Sequence, residues 1–82
     1  DLPTGYERPD IFAIHLIKRG RNPENFDIKK LSRISEGFSG AEIENSINAS
    51  MRRAFVEGRE FTTKDIEKAV SETVSLSLTK SD

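Results

Sequence analysis

The chain has 82 residues, enough for one small domain. Its 13 basic and 14 acidic residues give a net charge of −1, and this balance does not favour a nucleic-acid partner. With no cysteine and one histidine, the chain has no disulfide, no thiolate nucleophile and no cysteine or multi-histidine metal site. The apolar runs are too short to cross a bilayer and the first residues lack a signal-peptide pattern, so we expect a cytoplasmic domain without a membrane partner.

Capping residues predict the first two helices. Thr4 and Glu7 have the spacing of a capping box, and Gly20 favours the end of the helix that follows. Asp27 is the expected N-cap of a short second helix, and Gly37 lies where a left-handed residue would end it. Apolar residues at spacings of three indicate the buried face of this second helix: Ile28, Leu31 and Ile34.

Two further helices follow the same signals. Ser39 and Glu42 predict a second capping box, and Thr62 with Asp65 predicts the start of the last helix. The expected buried face of the third helix is Ile43, Ile47, Met51, Ala54 and Phe55. The expected buried face of the fourth is Ile66, Ala69 and Val70. The short connections favour an all-α fold, a compact four-helix bundle.

The chain divides into a helical domain, residues 1–73, and a tail, residues 74–82. After Thr73 the sequence mixes β-branched residues, serine and leucine without a helical period. We expect this tail to be disordered or to pack on other parts of a longer protein.

The first helix is apolar on nearly all sides across residues 11–17. A surface helix of a small domain normally buries a single stripe, so this pattern indicates a surface that docks against another domain. The alternative is that Leu16 or Ile17 is an isolated exposed apolar residue, which is common on soluble proteins.

Four segments, in order, resemble the C-terminal small subdomain, or lid, of classic-clade AAA ATPases within the AAA+ class. They are Ile11–His15, Phe26–Asp27, Glu36–Ile43 and Phe61–Asp65. The resemblance covers residues 1–73, and its most specific part is Gly37–Ile43. The sequence Gly-Phe-Ser-Gly-Ala-Glu-Ile-Glu is similar to that of poorly characterised bacterial and plastid AAA proteins.

The resemblance implies a nucleotide site on the adenine and ribose side of ATP or ADP, formed by His15, Gly40 and Ala41. A neutral imidazole can stack and hydrogen-bond there without the cost of burying a charge, and a helix N-terminus offers free N–H groups. Two alternatives stay open: His15 is a core-facing histidine, and Ser39–Glu42 is only a helix cap.

The resemblance also implies docking onto the P-loop large subdomain of the same chain, through Ile11, Phe12 and Leu16. Many AAA+ relatives outside this clade place a sensor arginine near the start of the third helix, where this chain has Ala41. Arg52 and Arg53 lie about three turns further on. We therefore expect the lid to contact the base and sugar rather than the γ-phosphate.

The chain has no Gly-x-x-x-x-Gly-Lys-Ser/Thr loop, so we expect neither catalytic residues nor metal ligands in it. ATP or ADP with Mg²⁺ is expected in the parent protein, and no cofactor in the isolated chain. The resemblance implies a lid that closes over nucleotide in a homo-hexamer and couples nucleotide state to neighbouring protomers for chaperone-like remodelling of a protein substrate.

The competing class is a stand-alone helical module that binds a protein or peptide without nucleotide, or a helix-turn-helix DNA binder. The DNA version is disfavoured because acidic residues accompany the two arginines of the third helix. Those acidic residues are Glu42, Glu44 and Glu57.

Overall fold

The computed structural model describes residues 1–80, with the side chains of residues 1–76; the end of the predicted tail, residues 81–82, lies outside the described residues. Its elements are α1 (Arg8–Lys18), a 3-10 turn (Pro23–Asn25), α2 (Ile28–Ile34), α3 (Gly40–Val56) and α4 (Thr63–Lys80). The most extensive packing is between α3 and α4, and α1 packs against both α2 and α3. The predicted all-α, four-helix bundle is confirmed.

Helices α2, α3 and α4 begin directly after the predicted caps Asp27, Ser39 and Thr62, whereas α1 begins at Arg8, four residues after Thr4. In the turn before α1, the Thr4 backbone N–H donates to Glu7 Oε1 at 2.8 Å, and the Glu7 N–H donates to Thr4 Oγ1 at 3.2 Å. Ser39 and Glu42 form the same reciprocal pair at the start of α3, at 2.8 and 3.1 Å. These bonds satisfy N–H groups that a helix terminus leaves free, and the second pair fixes the position of Gly40.

A single apolar core lies between the four helices. Its buried members are Phe12, Leu16, Leu31, Phe38, Ile43, Ile47, Ala54, Phe61, Ile66 and Val70. Each large side chain contributes about 1.5–3 kcal/mol before ordering entropy is subtracted. Phe38 belongs to the loop between α2 and α3, so its burial anchors the chain immediately before α3 begins.

Phe55 is 83% exposed, so the prediction that it belongs to the buried face of α3 is wrong. Successive residues on an α-helix are about 100° apart. Because Ala54 faces the core, Phe55 is turned away from it, and the exposed Val56 follows.

Helix α4 continues to Lys80, although the sequence after Thr73 has no evident helical period. Val70 and Val74 are four residues apart, which continues the apolar stripe of α4 by one turn even though Val74 is 39% exposed. The Thr73 hydroxyl donates to the Ala69 carbonyl at 3.1 Å, which accommodates a polar β-branched residue inside the helix. The helix crosses the predicted boundary at residue 73, and packing of the tail on a longer protein stays a prediction.

The two faces of α1 are sharply different. Phe12 and Leu16 are fully enclosed by the core of the bundle, because residues four apart on a helix share a face. They cannot touch another domain directly, which corrects the docking role predicted for them. Ile14 and Ile17 are 51% and 61% exposed, and they form the apolar outer face of α1. Ile11 is half-buried at the edge between the two faces.

Candidate functional site

Helices α1 and α3 lie side by side and run in the same direction. His15 Nδ1 lies 3.8 Å from Glu44 Oε2, and one turn further along both helices Arg19 donates to Asn48 Oδ1 at 3.0 and 2.7 Å. Arg19 Nη2 also donates to Glu44 Oε2 at 3.1 Å. Because each contact advances by four residues on both helices, the alignment is parallel. We call this line of contacts the α1–α3 seam.

A groove of about 470 Å³ opens at the start of the seam. Ile11 and Gly40 line it, one turn before His15 and Glu44 respectively. Its other lining residues are Asp1, Leu2, Pro3, Glu7 and Asp10. Carboxylates border this groove and none of the described residues that line it has a basic side chain, so it disfavours phosphate groups and suits an apolar or hydroxyl-bearing group.

Gly40 is the first residue of α3 and faces open space. A Cβ added there would meet no other part of the described chain within 4 Å. Gly20, Gly37 and Gly58 have φ values of 75°, 85° and 73°, which favour glycine, whereas Gly40 does not adopt a positive φ. The fold therefore does not require glycine at position 40. The next residue, Ala41, is exposed, so the backbone at the start of α3 is open to close approach.

His15 lies in the seam, with 16% of its side chain exposed. Its Nδ1 atom is buried and has no hydrogen-bond partner among the described residues. The distance of 3.8 Å to Glu44 Oε2 is too long for a hydrogen bond but keeps the carboxylate close. The hydrogen bond from Arg19 lowers the pKa of the Glu44 carboxyl, which favours its charged form. One ring nitrogen of His15 thus faces a negative charge.

Arg8 fixes the outer wall of the groove, a role that the sequence analysis missed. Its side chain is buried, its Nε donates to the Ser32 carbonyl at 2.8 Å, and its Nη1 donates to the Pro3 carbonyl at 3.5 Å. These bonds join the N-terminal segment to α2. The sequence did contain a signal for this role: Arg8 lies four residues before Phe12, and this spacing puts Arg8 on the inner face of α1.

Of the three predicted nucleotide residues, Gly40 lines the groove, and His15 and Ala41 are not among its lining residues. His15 lies in the seam, one turn beyond the groove residue Ile11, and the exposed Ala41 follows Gly40 in α3. Within the described residues, no group of three His, Cys, Asp or Glu side chains could hold a metal ion. No helix in that same part of the chain has both the length and the apolar character needed to cross a membrane.

Comparison with known proteins assigns the chain to a class. Residues 25–68 match the family model described as AAA+ lid domain. Over 80 residues the chain is 50% identical to the uncharacterized AAA domain-containing protein ycf46 of Pyropia yezoensis and 48% identical to that of Gracilaria tenuistipitata var. liui, alignments that cover 96% of this chain and 16% of each relative. It is 38% identical over 71 residues to the proteasome-activating nucleotidase of Saccharolobus islandicus, which covers 85% of this chain and 18% of the relative.

The chain therefore belongs to the AAA+ lid domain family, as its motifs predict. Among these relatives, the sequence is more similar to the ycf46 proteins than to the nucleotidase. The chain spans about one sixth of the length of the relatives that it matches.

Proposed function

We propose that this lid closes over the adenine and ribose of ATP or ADP held by a P-loop subdomain of a longer chain. The observation that carries the proposal is the open start of α3. Gly40 opens directly into the groove, although neither crowding nor backbone conformation requires glycine there. A position without a Cβ that faces open space fits a ligand whose approach needs the space.

The chemistry of the groove supports contact with the nucleoside end of the nucleotide. Ile11 supplies an apolar surface for a base, and the carboxylates at the rim can accept hydrogen bonds from sugar hydroxyls. The same carboxylates would repel a triphosphate, so the phosphates and Mg²⁺ belong to the P-loop subdomain. In this proposal His15 and the backbone of Gly40 and Ala41 bind and orient the nucleoside.

The exposed apolar residues support two further contacts. Ile14 and Ile17, on the outer face of α1, are the residues that we propose for docking onto the large subdomain. Phe55 and Val56, 83% and 84% exposed, lie about 24 Å from Gly40 along α3 and are proposed to meet a neighbouring protomer. Helix α3 would then connect the nucleotide to that protomer in a homo-hexamer that remodels a protein substrate.

The test is nucleotide affinity in a chain that joins residues 1–82 to its P-loop subdomain. We expect Gly40→Val and His15→Ala each to weaken ATP binding about tenfold, or ~1.4 kcal/mol, at a temperature where circular dichroism shows that the lid of each variant is folded. Arg52→Val is the control: it introduces valine at an exposed position of α3 about three turns from Gly40, and it should leave the affinity for ATP unchanged. Unchanged affinity in both site variants would remove the nucleotide site and favour a stand-alone interaction module.

A second experiment uses residues 1–82 alone. Because the chain has no phosphate-binding loop, the purified domain should show no ATP turnover and at best weak nucleotide binding by calorimetry. Measurable hydrolysis by the domain would contradict the proposed division of labour between the two subdomains.

A further inference from the structure

The one histidine of the chain has an unusual setting, because a buried ring nitrogen without a hydrogen bond faces a carboxylate. Buried polar atoms in proteins nearly always have a partner. The polar group nearest to His15 Nδ1 among the recorded interactions is Glu44, at 3.8 Å. No hydrogen bond to His15 Nε2 is found among the described residues either, and Nε2 is not among the buried atoms without a partner. This second nitrogen is therefore the one open to a ligand.

Glu44 is held in place by the residues around it. Arg19 Nη2 donates to Glu44 Oε2 at 3.1 Å, and the same guanidinium donates to Asn48 Oδ1 and, at 2.9 Å, to the backbone carbonyl of His15. A carboxylate bound in this way has less freedom to swing into solvent than an isolated exposed glutamate. Its negative charge therefore stays next to the imidazole.

We propose that Glu44 is a positioning residue that holds neutral His15 as the Nδ1–H tautomer and so presents Nε2 as a hydrogen-bond acceptor to the nucleoside. A lone pair on Nδ1 would face the negative oxygen and be repelled, whereas an N–H group there is attracted. The tautomer of a histidine is set by the partner of its other nitrogen. An acceptor at Nε2 suits the exocyclic amine of adenine or a ribose hydroxyl. This inference rests on the proposed nucleotide function.

The first experiment measures the tautomer directly in residues 1–82, whose four helices surround one apolar core. With one histidine in the chain, the ¹⁵N shifts and long-range couplings of the ring are unambiguous. At a pH where the ring is neutral, we expect Nδ1–H to be the major form, whereas unconstrained histidine in water favours Nε2–H. Glu44→Ala should reduce Nδ1–H to less than half of the population, and Glu44→Gln, which keeps the size and an acceptor oxygen, should lie between.

Glu36→Ala is the matched control, since Glu36 is exposed and makes no recorded contact with the ring. It should leave the tautomer unchanged. A major Nε2–H form in the unsubstituted chain would overturn the inference. A major Nδ1–H form that Glu44→Ala does not alter would overturn it as well.

The second experiment measures ATP affinity in the longer chain and separates this inference from the proposed function. We expect Glu44→Ala to weaken binding by a smaller factor than His15→Ala, and to have no further effect when His15 is already alanine. If affinity depends on His15 but not on Glu44, the positioning role is wrong. If it depends on neither residue while the tautomer still responds to Glu44, the nucleotide site fails and the control of the ring stands.

Discussion

The two ends of α3 are built in opposite ways. At the C-terminal end, Arg59 donates to both carboxylate oxygens of Asp65 at 2.8 Å, and Asp65 also accepts from the Thr62 backbone N–H at 2.8 Å. At the N-terminal end, His15 Nδ1 has no hydrogen-bond partner in the described part of the chain, and Gly40 faces open space. The Arg59–Asp65 pair is thus satisfied by the chain's own atoms, whereas the start of α3 leaves Gly40 open to approach. Arg53 Nη1, in the last turn of α3, is also buried without a hydrogen-bond partner among the described residues, so an unpaired atom alone does not distinguish the two ends.

This difference distinguishes a structural cluster from a candidate binding site. The cluster around Asp65 has the larger electrostatic effect, because the hydrogen bonds from Arg59 lower the Asp65 pKa to about 2. Perturbed pKa values often mark functional sites, but here the interacting groups are all engaged with one another. The start of α3 is the better candidate, because Gly40 faces open space and lines a groove.

The largest expected effect is the loss of a buried aromatic ring near the C-terminal end of α3. Phe61 is 3% exposed, with its ring centroid 5.2 Å from that of Phe26 and the Arg21 guanidinium 5.3 Å above it. Phe61→Ala should cost about 3–5 kcal/mol, comparable with the whole stability of a domain of this size. Urea unfolding followed by circular dichroism should show a largely unfolded chain at 25 °C.

The matched control is Phe55→Ala, six residues earlier and 83% exposed. Its free energy of unfolding should stay within about 0.5 kcal/mol of the unsubstituted chain. If Phe61→Ala and Phe55→Ala lower the free energy of unfolding equally, the buried packing of Phe61 does not stabilise the C-terminal end of α3.

A smaller effect comes from the charge of Asp65. Its folded pKa of about 2 lies below the ordinary 3.8, so its ionised form stabilises the fold above about pH 4, and this stabilisation is lost as the pH falls toward 2. Because Arg59 is 41% exposed, solvent screens its ion pair with Asp65, and we expect the charge of Asp65 to contribute about 1–2 kcal/mol to stability. Asp65→Asn should therefore lower stability at pH 7, and the difference should decrease as the pH falls from about 4 through 2.

Urea titrations of both chains between pH 2 and pH 7 measure this difference. Glu60→Gln is the control, because Glu60 is an exposed acid of the same loop whose ion pair with Arg21 is open to solvent. Its effect should be smaller than that of Asp65→Asn at neutral pH. A difference between the Asp65 variant and the unsubstituted chain that does not change with pH would rule out the charge as the cause.

Local signals predicted the helix starts well, because caps depend on side chains within three residues of the backbone that they satisfy. Asp27 Oδ1 accepts from the Lys30 N–H at 3.1 Å, as expected of an N-cap. The glycines that end α1 and α2 were predicted too, since Gly20 and Gly37 have positive φ values, but the extent of α4 was not. Serine and valine after Thr73 suggested a break, but helical structure in a protein depends on packing as well as on propensity.

The candidate site was predicted in part, because a resemblance supplied residues but not their surroundings. Gly40 lines the groove and His15 lies one turn beyond its residue Ile11, yet Glu44 was interpreted only as a charge that disfavours DNA. Its approach to His15 needs the parallel alignment of α1 and α3, a tertiary contact over 29 residues of sequence. The inner position of Phe12 was in principle visible from helical geometry, but a helix that is apolar on most sides hides which stripe faces the core.

The smallest expected effect compares the glycines at the two ends of α3. Gly58 has φ 73°, its N–H donates to the Phe55 carbonyl at 3.0 Å, and the next N–H bonds back to Ala54, as in a helix-ending Schellman motif. Gly58→Ala should cost about 1 kcal/mol because a Cβ is disfavoured there. Gly40→Ala should instead stabilise by about 0.4–1 kcal/mol, since it restricts the unfolded chain without native strain.

Urea unfolding of the two alanine variants measures these opposite signs. If Gly40→Ala destabilises the chain as much as Gly58→Ala, the fold requires glycine at position 40. Gly40 would then no longer support a binding site at the start of α3. If Gly40→Ala stabilises the lid and still weakens ATP binding in the longer chain, the added methyl group favours the fold but obstructs the nucleotide. These two results together would show that glycine at position 40 serves nucleotide binding and not the stability of the fold.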